Sequence, residues 1–250
     1  MKILFALFVF ILVGCHSNDS EIEALKKEVE ELKKQKDFTF LENNYKDTVR
    51  VYLGTPGYQW PQEVKLITKM FKDLNINYKI LKKWKGIDDF DYRLAPIRTK
   101  SADISVYNIT ITEERKKYVN FSKPYLFDEV AILSFKSYYN NSSDLIGKKV
   151  VAFGTVSKWL KKNVRDIRIF DLNQYTGSTE ELFNKLKNGE VDAWVSSKIY
   201  LERTLKKHGN NSFSISKEYL YKEPIGIAVS KDKKELLNII NQYLGLKLNI

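Results

Sequence analysis

The chain has 250 residues, 43% of them hydrophobic and 13% aromatic, which excludes a disordered or collagen-like polymer and leaves room for one large core or two smaller ones. A formal charge of +11 suits anionic ligands, nucleic acid or anionic lipid. The lysines are scattered in pairs and no nucleic-acid motif accompanies them, so the reading is a solvated basic surface with no nucleic-acid partner.

In chain order, Met1 and Lys2 are followed by an uncharged run from Ile3 to Val13. Such a run has the length of a signal-peptide core and is too short to span a membrane comfortably. It closes on Leu12-Val13-Gly14-Cys15, which resembles the bacterial lipobox. The resemblance implies a signal peptide over 1–14, cleavage before Cys15, and acyl chains on Cys15 that hold the protein to a membrane. An uncleaved amphiphilic anchor with an incidental cysteine is the other reading. Because Cys15 is the single cysteine, the rest of the chain is expected to fold without disulfides. From Glu21 to Gln35, Ile22, Leu25, Val29 and Leu32 recur at three- and four-residue steps, an a/d seam of two heptads. It predicts a helical spacer within a lipidated segment 15–45, roughly 20 Å long at about 1.5 Å per residue, with an oligomerisation element as the alternative.

From Thr48 the pattern alternates strands with amphipathic helices, the signature of α/β architecture. Val49, Val51 and Leu53 read as a strand ending at Gly54. Pro61 opens a helix with Val64, Ile67, Phe71 and Leu74 on one face. Ile76–Leu81 is the next strand, Asp89–Ala95 a short helix stopped by Pro96, and Asp103–Tyr107 a third strand. A second unit starts near Lys149, with a strand through Phe153, a helix from Ser157 and a strand at Ile167–Phe170. Ser178 and Glu181 form a capping box for a helix ending at Asn188-Gly189, followed by a strand at Val191–Val195 and a helix from Lys198. Pro224–Ser230 is strand-like, and the closing helix has Leu236, Leu237, Ile240, Tyr243 and Leu244 on one side.

The segment carrying chemistry runs Asp103-Ile-Ser-Val-Tyr-Asn108-Ile-Thr110-Ile-Thr112-Glu113-Glu114-Arg115 and on through Phe121-Ser122 to Pro124-Tyr125. A strand ending at Asn108 and Thr110 presents amide, hydroxyl and backbone groups at the carboxyl edge of a sheet, where open α/β sheets bind ligands. Thr112 suits the N-cap of a short helix carrying Arg115, whose guanidinium offers two parallel donors to a carboxylate. The competing reading is a surface arginine paired with Glu113 or Glu114. The whole string resembles the signature of the extracellular solute-binding proteins of family 3, the polar amino-acid type. Asp144-Leu145-Ile-Gly147-Lys-Lys-Val150 with Gly154-Thr155, then Gly189-Glu-Val191-Asp192-Ala193, then Ile225-Gly226-Ile-Ala-Val-Ser-Lys231 extend the likeness to everything from Thr48 on.

That resemblance implies an α/β, two-lobed periplasmic binding protein type 2 fold, a clamshell with two crossing hinge strands: lobe 1 over 46–133 and 224–250, lobe 2 over 134–223. It implies a small polar solute, an amino acid or related carboxylate, captured between the lobes with Arg115 on its acid group and Thr155 on the far side. Two departures matter. Where many amino-acid binders carry an Asp for the ligand's ammonium, this chain has Ser197; a serine accepts a hydrogen bond but supplies no charge. In the first loop the family's aromatic is matched by Tyr58 and Trp60, either of which stacks on a solute or packs in the core.

The function implied is a membrane-anchored extracytoplasmic solute-binding lipoprotein with an ABC permease as partner; the alternative is a sensory or regulatory lipoprotein that reports the ligand to another protein. No cofactor, metal pair or nucleophile–base couple is legible, since His16 adjoins Cys15 and His208 ends a helix, so no enzyme is expected.

Overall fold

A computed structural model of the chain describes residues 45–54, 60–81, 91–171, 178–208 and 211–248, together with the helical residues 23, 24, 26 and 27. The expected signal peptide over 1–14, Cys15, the heptad positions Ile22, Leu25, Val29 and Leu32, and Tyr58 lie outside them. Among the described residues no helix is long and apolar enough to cross a membrane. The chain divides into two compact units, one up to Lys123 and again from Gly226, the other from Pro124 to Ile225.

In the first unit, β1 (Val49–Tyr52) is the centre of a parallel ladder with β2 (Tyr78–Ile80) and β3 (Ile104–Ser105). Val49 and Val51 face the core while Arg50 points to water, the period-two alternation of a strand. Arg50 reaches the carboxylate of Asp103, with Nη2 2.7 Å from Oδ1, and so ties β1 to the start of β3. The sheet continues antiparallel through β11 (Ala228–Val229) to β4 (Asn120–Phe121), in the order β2-β1-β3-β11-β4. Helix α1 (Pro61–Asp73) begins on a proline, whose missing N–H costs nothing in a first turn, and buries Ile67, Met70 and Phe71. The closing helix α7 (Lys234–Leu248) belongs to this unit: Leu236, Ile240, Tyr243 and Leu244 are buried, and the Tyr243 hydroxyl donates to Asp73 Oδ2 at 2.7 Å.

In the second unit the sheet runs β10-β5-β8-β6-β7, with β9 (Phe213–Ile215) also on β5. Its spine is the ten-residue β5 (Leu126–Phe135), paired antiparallel to β8 (Ala193–Ser197), β9 and β10 (Tyr221–Ile225). The far side is parallel, β6 (Lys149–Ala152) lying between β7 (Arg168–Asp171) and β8. Helices α4 (Gly154–Asn163), α5 (Thr179–Lys187) and α6 (Lys198–His208) complete this unit. One core gathers Phe183, Trp194 and Phe213; another gathers Val150, Leu160 and Val195, with Trp159 stacked on Tyr221 at 4.4 Å beside it.

Four expectations are corrected. Pro96 does not stop a helix at 95; it sits in the first turn of α2 (Ala95–Arg98), where proline is tolerated, and residues 92–94 form the turn before it. The helix read from Ser157 starts at Gly154, because extended Phe153 takes the N-cap place with no side-chain cap and its carbonyl accepts from Ser157 N at 3.0 Å. The strand read over Pro224–Ser230 is two strands, β10 and β11, separated at Gly226-Ile227. The division at 133 and 224 cuts through β5 and β10; β10 pairs along its whole length with residues 126–130 of β5 in the second unit, so the units part at Lys123/Pro124 and Ile225/Gly226 instead.

Candidate functional site

The first unit gathers several of its polar groups where β3 gives way to the loop 106–112. Asn108 holds φ +44, a left-handed conformation that asparagine tolerates better than most residues. Its N–H donates to Glu63 Oε1 at 2.7 Å, so the buried Glu63 at the start of α1 fixes the loop's height. Thr110 is buried, and the next turn is α3 (Glu113–Lys116), capped by Thr112, whose Oγ1 accepts from Arg115 N at 3.2 Å. The expected cap is therefore present, and one turn of helix aims the Arg115 side chain inward.

Arg115 is buried and so is not the surface arginine of the competing reading, and Glu113 pairs with Lys116, at 2.6 Å. Its partner is Asp91, 24 residues upstream. Arg115 Nε and Nη2 lie 2.8 and 2.6 Å from Asp91 Oδ2, and Nη1 donates to the Thr110 carbonyl at 2.7 Å. Both side chains are only 8% exposed. The other carboxylate oxygen, Oδ1, accepts from the backbone N and Nε of Arg93 at 3.1 and 3.2 Å. Burial alone pushes the Asp91 carboxyl up, but the Arg93 and Arg115 charges and their hydrogen bonds outweigh it and hold the group below the ordinary carboxylate range. Sequence reading missed Asp91, Arg93 and Glu63. The single local signal was Asp-x-Arg before a turn, a spacing at which a carboxylate accepts from the backbone two residues on.

Aromatic rings flank this cluster. Tyr107 meets Tyr52 at 6.4 Å and the exposed Tyr92 at 5.9 Å, both edge-on. Gly54, at φ +84, lies under Tyr107 so closely that a Cβ would stand 2.6 Å from the ring, and that close approach admits only glycine. Trp60 is half-buried in the N-cap place of α1, its carbonyl accepting from Glu63 N and Val64 N.

In the second unit, Thr155 lies half-buried in the first turn of α4, a helix start without a side-chain cap. Ser197 ends β8 and its Oγ accepts from Tyr200 N at 3.3 Å, so it serves as the cap of α6. Beside it Lys198 pairs with Glu129 at 3.1 Å. The structure thus brings Asn108, Thr110 and Arg115 together in the first unit, leaves Trp60 at the head of the helix that carries Glu63, and places Thr155 and Ser197 each at a helix start in the second. Among the described residues no group of three His, Cys, Asp or Glu stands together as a metal site.

Residues 62–246 match the family model described as bacterial extracellular solute-binding proteins, family 3. The L-cystine-binding protein TcyJ of Escherichia coli (strain K12) is 28% identical over 202 residues, covering 78% of this chain and 71% of the relative. The ABC transporter glutamine-binding protein GlnH of Bacillus subtilis (strain 168) is 30% identical over 156 residues, 61% of this chain and 55% of the relative. Among solved structures, an ancestral arginine-binding protein bound to arginine is similar at a TM-score of 0.62 and 28% identity, over 82% of this chain and 93% of that one.

Proposed function

Since the chain belongs to the bacterial extracellular solute-binding proteins of family 3, we propose that it is a lipoprotein, anchored through Cys15, that captures a small polar solute outside the cytoplasm for an ABC permease. The solute is an amino acid or a related carboxylate. The observation that carries this reading is the placement of Asn108, Thr110 and Arg115 together at the loop after β3, on the string that resembles the family signature. Relatives named for cystine and glutamine binding, and a neighbour solved with arginine, support the solute class. Thr155 and Ser197 of the second unit are assigned as further solute contacts, with Trp60 or Tyr58 as the aromatic one.

Thermal unfolding of the purified protein against a panel of amino acids, small carboxylates and short peptides tests this. A ligand at about a hundred times its dissociation constant stabilises by about 2.7 kcal/mol, worth about 5–10 °C in a chain of this size. Absence of any shift across the panel refutes small-solute capture and leaves the sensory reading, in which the fold answers to a protein partner.

A further inference from the structure

Lysines that lie scattered along the sequence of the second unit are gathered by its topology. β6 runs parallel to both β7 and β8, so all three strands begin at one end of the sheet. Lys148 and Lys149 enter β6 there and Arg168 enters β7, with Lys149 and Arg168 opposite each other on the ladder. The helices return the chain to the same end: α4 finishes on Lys161 and Lys162, α5 on Lys185 and Lys187, and α6 on Lys206 and Lys207. Arg165 lies in the turn from α4 to β7, and Lys136 follows the last residue of antiparallel β5, its N–H donating to the Ser212 carbonyl. Apart from the half-buried Lys148 and Lys185, these residues are exposed.

Four acids share this end, and each is engaged locally. Asp144 accepts from Asn140 N and Asn141 N, Asp166 lies 3.5 Å from Arg165, Glu190 lies 3.0 Å from Lys185, and Asp192 accepts from Lys149 N. Eleven basic side chains against four acidic ones leave seven positive charges in excess. A helix dipole favours lysine in the last turn, but three helix ends supply only about −1.5 charges between them, too few to balance that excess. The opposite end of the sheet has the other sign, with Asp171 closing β7 and Glu180 and Glu181 in the first turn of α5.

A lysine-rich surface does not suit a protein partner, since the centre of a protein interface is poor in lysine. It suits a fluid layer of phosphate headgroups, which long, mobile lysines follow without a fixed geometry. We infer that this end of the second unit docks on the anionic headgroups of a phospholipid membrane. The Cys15 anchor of the proposed lipoprotein brings that membrane within reach, and a basic surface is a second signal that makes acyl anchoring firm. The inference goes beyond solute capture and is independent of which solute is bound.

The test is sedimentation of the chain from residue 15, carrying Cys15→Ser so that no acyl chain holds it, with vesicles of phosphatidylcholine alone and of equal parts phosphatidylcholine and phosphatidylglycerol. The expected result is binding to the anionic vesicles that weakens steeply with added salt, and none to the neutral ones. Lys149→Gln, Lys161→Gln, Lys162→Gln and Lys207→Gln together should weaken it at least about thirtyfold, at up to about fivefold per basic residue near such a surface. The same four positions changed by Lys→Arg should keep wild-type binding. Lys65→Gln, Lys72→Gln, Lys79→Gln and Lys234→Gln in the first unit remove as much charge away from this end and should cost less than about threefold. Equal losses in the two glutamine variants overturn the inference, because net charge alone would then attract the vesicles. Equal binding to both kinds of vesicle, or binding to neither, overturns it as well. Melting curves, with the arginine variant beside the glutamine one, separate a lost surface from a lost fold. Solute capture stands or falls separately, on the thermal panel.

Discussion

Replacing Arg115 by alanine removes a cation that the chain uses on itself, so the change should register in stability with no solute present. Its partner Asp91 is 8% exposed, as is Arg115 itself, and the contacts are 2.6 and 2.8 Å. Removing one member of a buried pair strands the other's charge and costs about 3–5 kcal/mol. Here Arg93 stays on Oδ1, which places the expected loss at the low end, about 3 kcal/mol. An exposed pair such as Lys116 with Glu113, whose carboxylate is 87% exposed, is worth at most about 1 kcal/mol by comparison. Urea unfolding followed by circular dichroism reads the difference as a drop in midpoint at unchanged slope; if the two units unfold in separate steps, only the first unit's step should move. Asp91→Ala and the double variant close a cycle whose coupling should exceed about 1.5 kcal/mol. A loss for Arg115→Ala no larger than that for Lys116→Ala, or a coupling near zero, refutes the claim that Arg115 is structurally committed.

Two further outcomes are expected. Asp91 and Asp103 are both held below the ordinary carboxylate range in the folded chain; for Asp103, burial acts upward but the hydrogen bonds and charge of Arg50 prevail. With an unfolded value of about 3.9, their stabilisation is fully present above that pH and is lost as pH falls through the lower folded values, because the unfolded chain then binds more protons. Unfolding midpoints from neutral pH down to about pH 2.5 should fall in that acid range, and Asp91→Asn should flatten the fall; an unchanged slope counts against Asp91 as a contributor. For the proposed anchor, Cys15→Ser in the expressing bacterium should abolish incorporation of labelled palmitate and move the protein from membranes to the soluble fraction, and continued labelling would rule out Cys15 as the acylated residue.

Much of the fold was legible because its elements carry local instructions. Pro61 with the stripe Val64, Ile67 and Phe71 marked α1 almost to the residue, and Ser178 with Glu181 marked the start of α5, where Ser178 Oγ does accept from Glu181 N. Errors fell where the local signal was ambiguous. Ser157 looks like a cap but lies inside α4, and Pro96 looks like a stop but lies in a first turn. Proline and serine serve both ends of helices, and a backbone carbonyl such as that of Phe153 leaves no mark in the sequence.

The site was legible in position and opaque in partnership. The spacing from Thr112 to Arg115 marked a one-turn helix and its cap, which act within four residues and so leave a local trace, whereas the strand read as ending at Asn108 and Thr110 ends at Ser105 and gives way to a loop. The Asp91–Arg115 contact joins residues 24 apart, and no periodicity encodes it. Asp91 and Arg93 also face the same way only because the turn at 92–94 places Arg93 N on Asp91 Oδ1, whereas a helix through these residues would have turned their side chains about 200° apart. The helix misread at 91–94 and the missed counter-ion are therefore one error. Once the turn is recognised, a lone arginine waiting for an acid becomes an arginine that already has one, Asp91.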